Sequence, residues 1–305
     1  MLVFVPIMLL LLVSCYTATE STPRIKAQDV ERIPPTAEQL VVDTNFVQRG
    51  CYTWPVGKRF VSIDDALSPM LRPEADMPLV ESGLQGRYFV YRGIRQENTY
   101  GDKSVVYLLY ECDSVLYSYY TGKSLEELEL LDYRPLIPSL VDVDALEKAR
   151  QLFVGKQLYI LTRQWYSTQG EPIDGLHYVP VVVEAIEPGS ALLPFAVVFR
   201  DGRGVCAQVY ISTKSSLQTQ MLAFDRLFAF DNPRNDHPEI TDVVWEAITQ
   251  GRLLVGMTKN ECRLCLGLPS EVKKVPTYSG LKEQGLYNTG AYLFFSDGLL
   301  EEFRQ

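Results

Sequence analysis

Apolar residues run unbroken from Met1 to Val13, and no other stretch of the chain repeats that pattern. The run matches the core of a signal peptide and falls short of the roughly 18–20 residues a spanning helix needs. Residues 16–45 read as a flexible tether. Thr17, Thr19, Ser21, Thr22, Pro23, Pro34, Pro35 and Thr36 are polar or turn-forming and leave little to bury, with a weak helical patch starting near Thr36. Beyond the tether the apolar positions come in short, Tyr- and Val-rich runs, which predict strands over 87–94, 104–111 and 115–120. A second set is predicted over 177–186, 195–200 and 205–211, parted by Glu187-Pro188-Gly189-Ser190 and Asp201-Gly202. Between the sets, Leu146, Ala149 and Phe153 recur at helical spacing and predict a linking helix over 142–153.

The two strand sets read as an internal repeat. Val56-Gly57-Lys58-Arg59-Phe60 matches Val154-Gly155-Lys156-Gln157-Leu158, 98 positions on. Tyr88 matches Tyr178, Val105-Val106 matches Ala196-Val197, and Thr121-Gly122-Lys123 matches Ser212-Thr213-Lys214, at spacings of 90 to 91. Each copy carries enough short strands for a small β-barrel of the SH3-like kind. The expected modules span 46–135 and 136–232, the second including the linking helix.

In the last module, 233–305, Pro238 can open a helix whose apolar face is Ile240, Val243, Val244, Ala247 and Ile248, with Gly251 stopping it. Thr258-Lys259-Asn260-Glu261 is a capping box for a shorter helix, which Gly267 and Pro269 end. A strand over 291–295 follows, closed by Ser296-Asp297-Gly298. The series Trp245, Ile248, Gly251, Leu253, Gly256-Met257-Thr258, Glu261, Leu266-Gly267, Pro269, then Phe294-Phe295 and Asp297-Gly298, resembles the SmpA/OmlA family. The resemblance covers about 238 to 305. It implies a two-helix, three-strand BamE-like domain and a part in outer-membrane protein assembly. The expected fold is therefore mainly β with a C-terminal α+β domain: two tandem SH3-like barrels, then the BamE-like domain.

Composition changes this picture in two ways. The 29 basic and 38 acidic residues give a net charge of −9, and no charged residue lies in 1–15, so the chain beyond it keeps the whole charge. That argues against nucleic acid and against electrostatic attachment to anionic lipid. Second, Leu12-Val13-Ser14-Cys15 closes the apolar run and resembles the lipobox of bacterial lipoprotein precursors. The resemblance implies a signal peptide over 1–15 and acylation at Cys15, where more than one chain is needed for stable anchoring. With the family resemblance, it places the protein in the bacterial cell envelope, on the outer membrane facing the periplasm.

No residue set is expected to be catalytic, and no cofactor or metal is expected. His177 and His237 lack a motif and read as surface or capping residues. Asp64-Asp65 and Glu126-Glu127 read as solvated charge. Cys262 and Cys265 share a helix face; buried thiols fit best, with a disulfide elsewhere or metal or redox chemistry as alternatives. With Cys15 acylated, Cys51, Cys112, Cys206, Cys262 and Cys265 remain, an odd number. The Tyr cluster of the first module offers the candidate ligand contacts: Tyr117 and Tyr119 on one strand face and Tyr120 on the other. The expected function is that of a lipid-anchored, non-enzymatic scaffold or binding module with an envelope protein partner. The alternative is a lipoprotein that binds peptidoglycan, another cell-wall glycan or a peptide through its tandem modules.

Overall fold

Alternating apolar and polar positions close into three antiparallel sheets in the computed structural model, which describes residues 34–74, 83–99, 103–213, 219–277 and 280–304. Cys15 lies outside the described residues. The chain opens with α1 (Ala37–Asn45), then β1 (Arg59–Ser62), β2 (Leu71–Pro73), β3 (Tyr88–Thr99), β4 (Lys103–Cys112), β5 (Val115–Tyr120), α2 (Leu125–Leu130) and β6 (Leu140–Asp142). These six strands form one sheet, in the order β2-β5-β4-β3-β1-β6. Next come α3 (Val143–Phe153), β7 (Gln157–Ile160), β8 (Gln164–Tyr166), β9 (Pro172–Asp174), β10 (Val179–Pro188), β11 (Phe195–Asp201), β12 (Cys206–Ile211), α4 (Phe224–Leu227) and β13 (Phe228–Ala229). Their seven strands are ordered β13-β7-β10-β11-β12-β8-β9.

The two larger sheets have the same connectivity. Read from opposite ends, β5-β4-β3-β1-β6 corresponds to β12-β11-β10-β7-β13, with β2 and β8 each flanking the last hairpin strand. A bulge interrupts both long strands at the same place, between Tyr91 and Gly93 in β3 and between Val183 and Ala185 in β10. The bulge residues are Arg92 and Glu184, 92 positions apart. Each pairs with the neighbouring strand, Arg92 with Glu111 at 2.8 Å and Glu184 with Arg200 at 2.6 Å. Glu111 lies opposite Val90 and Arg200 opposite Val182, so the two ion pairs are equivalent with their charges exchanged.

Neither sheet is the small closed barrel that strand count and spacing suggested. Both are open, with β2 and β6 at the edges of one and β9 and β13 at the edges of the other. The sheets are joined where β1 and β6 bury both faces. Phe60 and Leu140 enter the first core, while Val61 and Val141 enter the second. Helix α3 follows directly. The Asp142 side chain caps it by accepting from the amides of Asp144 and Ala145. Its stripe of Val143, Leu146, Ala149 and Phe153 is buried in the second core. Each large side chain there contributes roughly 1.5–3 kcal/mol by leaving water.

Residues 37–45, placed in the tether by their sequence, form the helix α1, started by a capping box between Thr36 and Gln39. It leads the first repeat in sequence but packs on the second. Phe46 meets Phe195 with ring centroids 5.3 Å apart, and Gln39 donates to Asp225 at 2.7 Å. Burial of Val41, Val42 and Phe46 against that core outweighs the weak apolar character of the segment.

The C-terminal region departs from the two-helix, three-strand domain that the family resemblance implied. Its body is a four-stranded antiparallel meander of β14 (Glu271–Thr277), β15 (Gly280–Leu286), β16 (Tyr292–Ser296) and β17 (Leu299–Arg304). The helices ahead of it are α5 (Asp242–Thr249) and α6 (Lys259–Leu266). Helix α5 is capped by Thr241 rather than opened by Pro238. The quoted motif reflects local punctuation. Gly256 and Gly267 take positive φ, and Thr258 and Glu261 close a capping box. Any capped helix can use these devices, so they do not fix how many strands follow. The strand signal of β14 is weak because Lys273, Lys274 and Pro276 interrupt its apolar pattern. At a sheet edge Pro276 costs no ladder bond on its outer side.

One packing detail tests the second repeat. The backbone of Gly175 lies on the ring of Trp165, where an added Cβ would come within 2.2 Å of the indole. Gly175→Ala is expected to lose on the order of 1–3 kcal/mol by overpacking. Urea denaturation should show that loss in the native background and little of it beside Trp165→Ala, because the clash disappears with the ring.

Candidate functional site

A cleft of about 600 Å³ lies where the two repeats meet. Thirteen residues, 46–58, separate α1 from β1, whereas only 154–156 separate α3 from β7. The longer connection carries the chain from α1, seated on the second repeat, back to the first sheet, and it forms one wall. Val47, Gln48, Arg49, Trp54 and Lys58 line the cleft from this segment. Phe60 and Tyr110 supply the sheet floor, Ile137 and Leu140 the far wall, and Asp144 and Lys148 project from the first turns of α3.

Aromatic packing makes the floor rigid. Trp54 sits 5.2 Å from Phe60 and 5.6 Å from Tyr91, and Phe60 sits 5.7 Å from Tyr110. The Trp54 indole donates to the carbonyl of Arg49 at 3.2 Å, which fixes the ring. Gln48 reaches Thr213 of the second repeat at 3.3 Å.

The polar groups fall into two kinds. Lys58, with its side chain 11% exposed, lies 2.6 Å from Asp142 and 3.3 Å from Asp144. Asp142 also caps α3, so this triad is committed to holding β1 against the helix. Arg134 is held by Asp132, whose carboxyl is kept below its usual range by Arg134 first and then by the Gly50 amide. Arg49 and Lys148 are exposed and form no ion pair among the described residues. The lining therefore carries four cations, Arg49, Lys58, Arg134 and Lys148, against two carboxylates, Asp142 and Asp144. A cationic cleft in a chain of net charge −9 is a local inversion.

The candidate ligand tyrosines lie elsewhere. Tyr117 and Tyr119 do share a strand face, but it is the inner one, and both are buried in the first core. Burial raises both phenols, and Tyr119 shares a hydrogen bond with Tyr133 at 3.1 Å. Tyr120 is 56% exposed and packs on Tyr107, away from the cleft.

The remaining chemistry-bearing side chains are quiet. Burial pushes the thiols of Cys51, Cys112 and Cys265 up to about 11 and that of Cys262 to about 12, so each stays protonated. All five described cysteines are free thiols. His177 is buried between the second repeat and α5, rather than lying at the surface, and its Nε2 donates to the carbonyl of Ile248 at 2.5 Å. His237 sits 3.7 Å from Glu239. Asp65 accepts from the amide of Gly83, while Glu127 caps α2 and Glu126 is exposed. Among the described residues no group of three His, Cys, Asp or Glu could hold a metal ion, and no helix is long and apolar enough to cross a membrane.

Sequence reading passed over Trp54, Arg49 and Lys148, though one signal was present. Aligning the repeats on their leading helices exposes the ten extra residues between α1 and β1. An insertion next to β1, a strand whose two faces are buried in the two cores, is where a concavity between them can form. No family model, no curated protein and no solved structure matches this chain.

Proposed function

We propose that the chain is a lipid-anchored bacterial envelope protein whose described part binds a ligand in the cleft between its two repeats. The observation that carries this reading is the cleft itself, where a fixed aromatic floor meets two cations, Arg49 and Lys148, not committed to carboxylates. Such a site holds a ligand by burial and charge. Binding is favoured over catalysis by the state of the other groups. The thiols are held protonated, and His177 is neutral and tied to a backbone carbonyl. The anchor rests on the apolar run ending at Cys15.

Two measurements test the reading. Cys15→Ala should move the protein from the membrane to the soluble envelope fraction, with loss of acyl mass from the N-terminal peptide; unchanged membrane association would refute the anchor. A photo-crosslinking residue at Val47, on the cleft rim, should trap a discrete adduct in native envelopes. The same residue at Leu130, which is 82% exposed on α2 and does not line the cleft, should not. Equal labelling at both positions, or none at Val47, would refute the cleft as the binding site.

A further inference from the structure

The C-terminal meander has one edge covered by other parts of the chain and one left open. Along β17 the edge is taken by the turn before α6: the Gly256 amide donates to Leu300 at 2.8 Å, and the Leu300 amide donates to Met257 at 2.7 Å. Along β14 every residue from Glu271 to Pro276 is exposed. The hydrogen bonds fix which of its backbone groups point outward. At the two ends of β15 the odd-numbered residues face β16, because Tyr287 donates to Ala291 at 3.0 Å and Leu281 accepts from Asp297 at 3.1 Å. The even-numbered residues of β15 therefore face β14, where they lie opposite Glu271, Lys273, Val275 and Thr277. The amides and carbonyls of Val272 and Lys274 consequently point away from the sheet, followed by the Pro276 carbonyl. No backbone bond from another described segment reaches them. Val272 is 48% exposed, although Gly285 and Leu293 beside it in the same row are buried.

We propose that β14 pairs antiparallel with β14 of a second copy of this chain, about a two-fold axis at Val272, joining two four-stranded meanders into one eight-stranded sheet. The charge pattern selects both the occupant and the register. An axis through Glu271, Lys273 or Lys274 sets that charge against its own copy, which opposes pairing. An axis through Val275 pairs Lys274 with Pro276, which has no amide to give. The axis through Val272 brings the two Val272 side chains together and exchanges their amides and carbonyls. It also sets Glu271 opposite Lys273 of the second copy, twice by symmetry. Glu271 and Lys273 already share one face of β14, 3.5 Å apart, so Glu-Val-Lys is its own complement when the strand is reversed. Pro276 ends the stretch that can pair, which limits the edge to one short contact rather than a template for aggregation. A contact of this size is reversible, so its signature is dependence on concentration. The surface shares no residue with the cleft between the repeats and stands independently of it.

The test is sedimentation equilibrium of the full-length protein in density-matched detergent, which should show a reversible monomer–dimer equilibrium. V272P removes an outward amide and no bond to β15, so it should leave a monomer with the native thermal midpoint. K273E sets carboxylates opposite each other and should weaken the dimer at least tenfold. The exchange E271K/K273E restores opposite charges and should restore the dimer. Under a mild oxidant V272C should form a disulfide-linked dimer, while V243C, at a position 69% exposed on α5, should not. The inference is overturned if the protein is a monomer at every concentration, if V272P leaves a dimer intact, or if K273E and the exchange behave alike. A monomer whose V272C thiol instead links to a different protein would also overturn it, by assigning the edge to another partner.

Discussion

Trp165→Ala is expected to cost about 4 kcal/mol of folding stability, the middle of the range for removing a fully buried aromatic side chain. Trp165 on β8 is 1% exposed and is among the largest fully buried side chains of the protein. It meets Phe199 edge-on at 5.1 Å, and its indole donates to the carbonyl of Thr162 at 2.8 Å. The backbone of Gly175 covers one of its faces. Truncation would leave a cavity framed by backbone on one side and sheet on the other, and neither can collapse readily into it. It would also strip the Thr162 carbonyl of its partner. Trp165→Phe should recover much of the loss. Equilibrium urea unfolding measures both, and an alanine variant within about 1 kcal/mol of the native protein would show that the ring does not close this core.

The second large effect depends on pH. Burial first, and then the nearby charge of Arg163, lower the His177 pKa from 6.5 to about 4, against the opposing hydrogen bond to Ile248. The unfolded chain therefore takes up a proton at a pH where the folded chain does not. Stability from this group is whole above pH 6.5, falls as the pH drops, and is lost once the pH has passed below about 4. The difference between the two pKa values corresponds to on the order of 3 kcal/mol. His177 joins the second repeat to the end of α5, and its own amide donates to the carbonyl of Thr249 at 3.0 Å. Protonation should loosen that junction first. Thermal unfolding of the native protein and of His177→Gln at pH 7 and near pH 4 separates this group from the carboxylates. The native protein should lose more stability on acidification than the variant, and equal losses would rule His177 out as the source.

What the sequence made legible was local, and the structure departs from it where tertiary contacts decide. Strand alternation correctly placed Tyr117 and Tyr119 on one face, but alternation has no sign, and that face is the core. The matched blocks set Tyr88 against Tyr178, whereas bulge-to-bulge equivalence sets Tyr88 against Pro180. A slip of two residues leaves every side chain on its original face, so pattern matching cannot detect it. Glycine and threonine signals fixed the turn at Gly251 and the cap at Thr258. They could not show that the lysines and proline of β14 form an edge strand. Nor could they show that α1 crosses to the other repeat, because that rests on Phe46 meeting Phe195, 149 positions away. The cleft was hidden for the same reason: its walls are remote in sequence and become neighbours only after both sheets have formed.

The exchanged ion pairs of the two bulges bear on how a chain with two alike sheets folds without mixing them. If β3 took the place of β10 beside β11, Arg92 would face Arg200. If β10 took the place of β3 beside β4, Glu184 would face Glu111. Either hybrid sheet would set like charges against each other at the point where the long strand bends, while both native hairpins set opposite charges there. The inversion labels each long strand for its own neighbour. It lets the two copies diverge little in backbone while each hairpin remains a poor partner for the other, and the same discrimination opposes exchange of strands between two molecules at high local concentration.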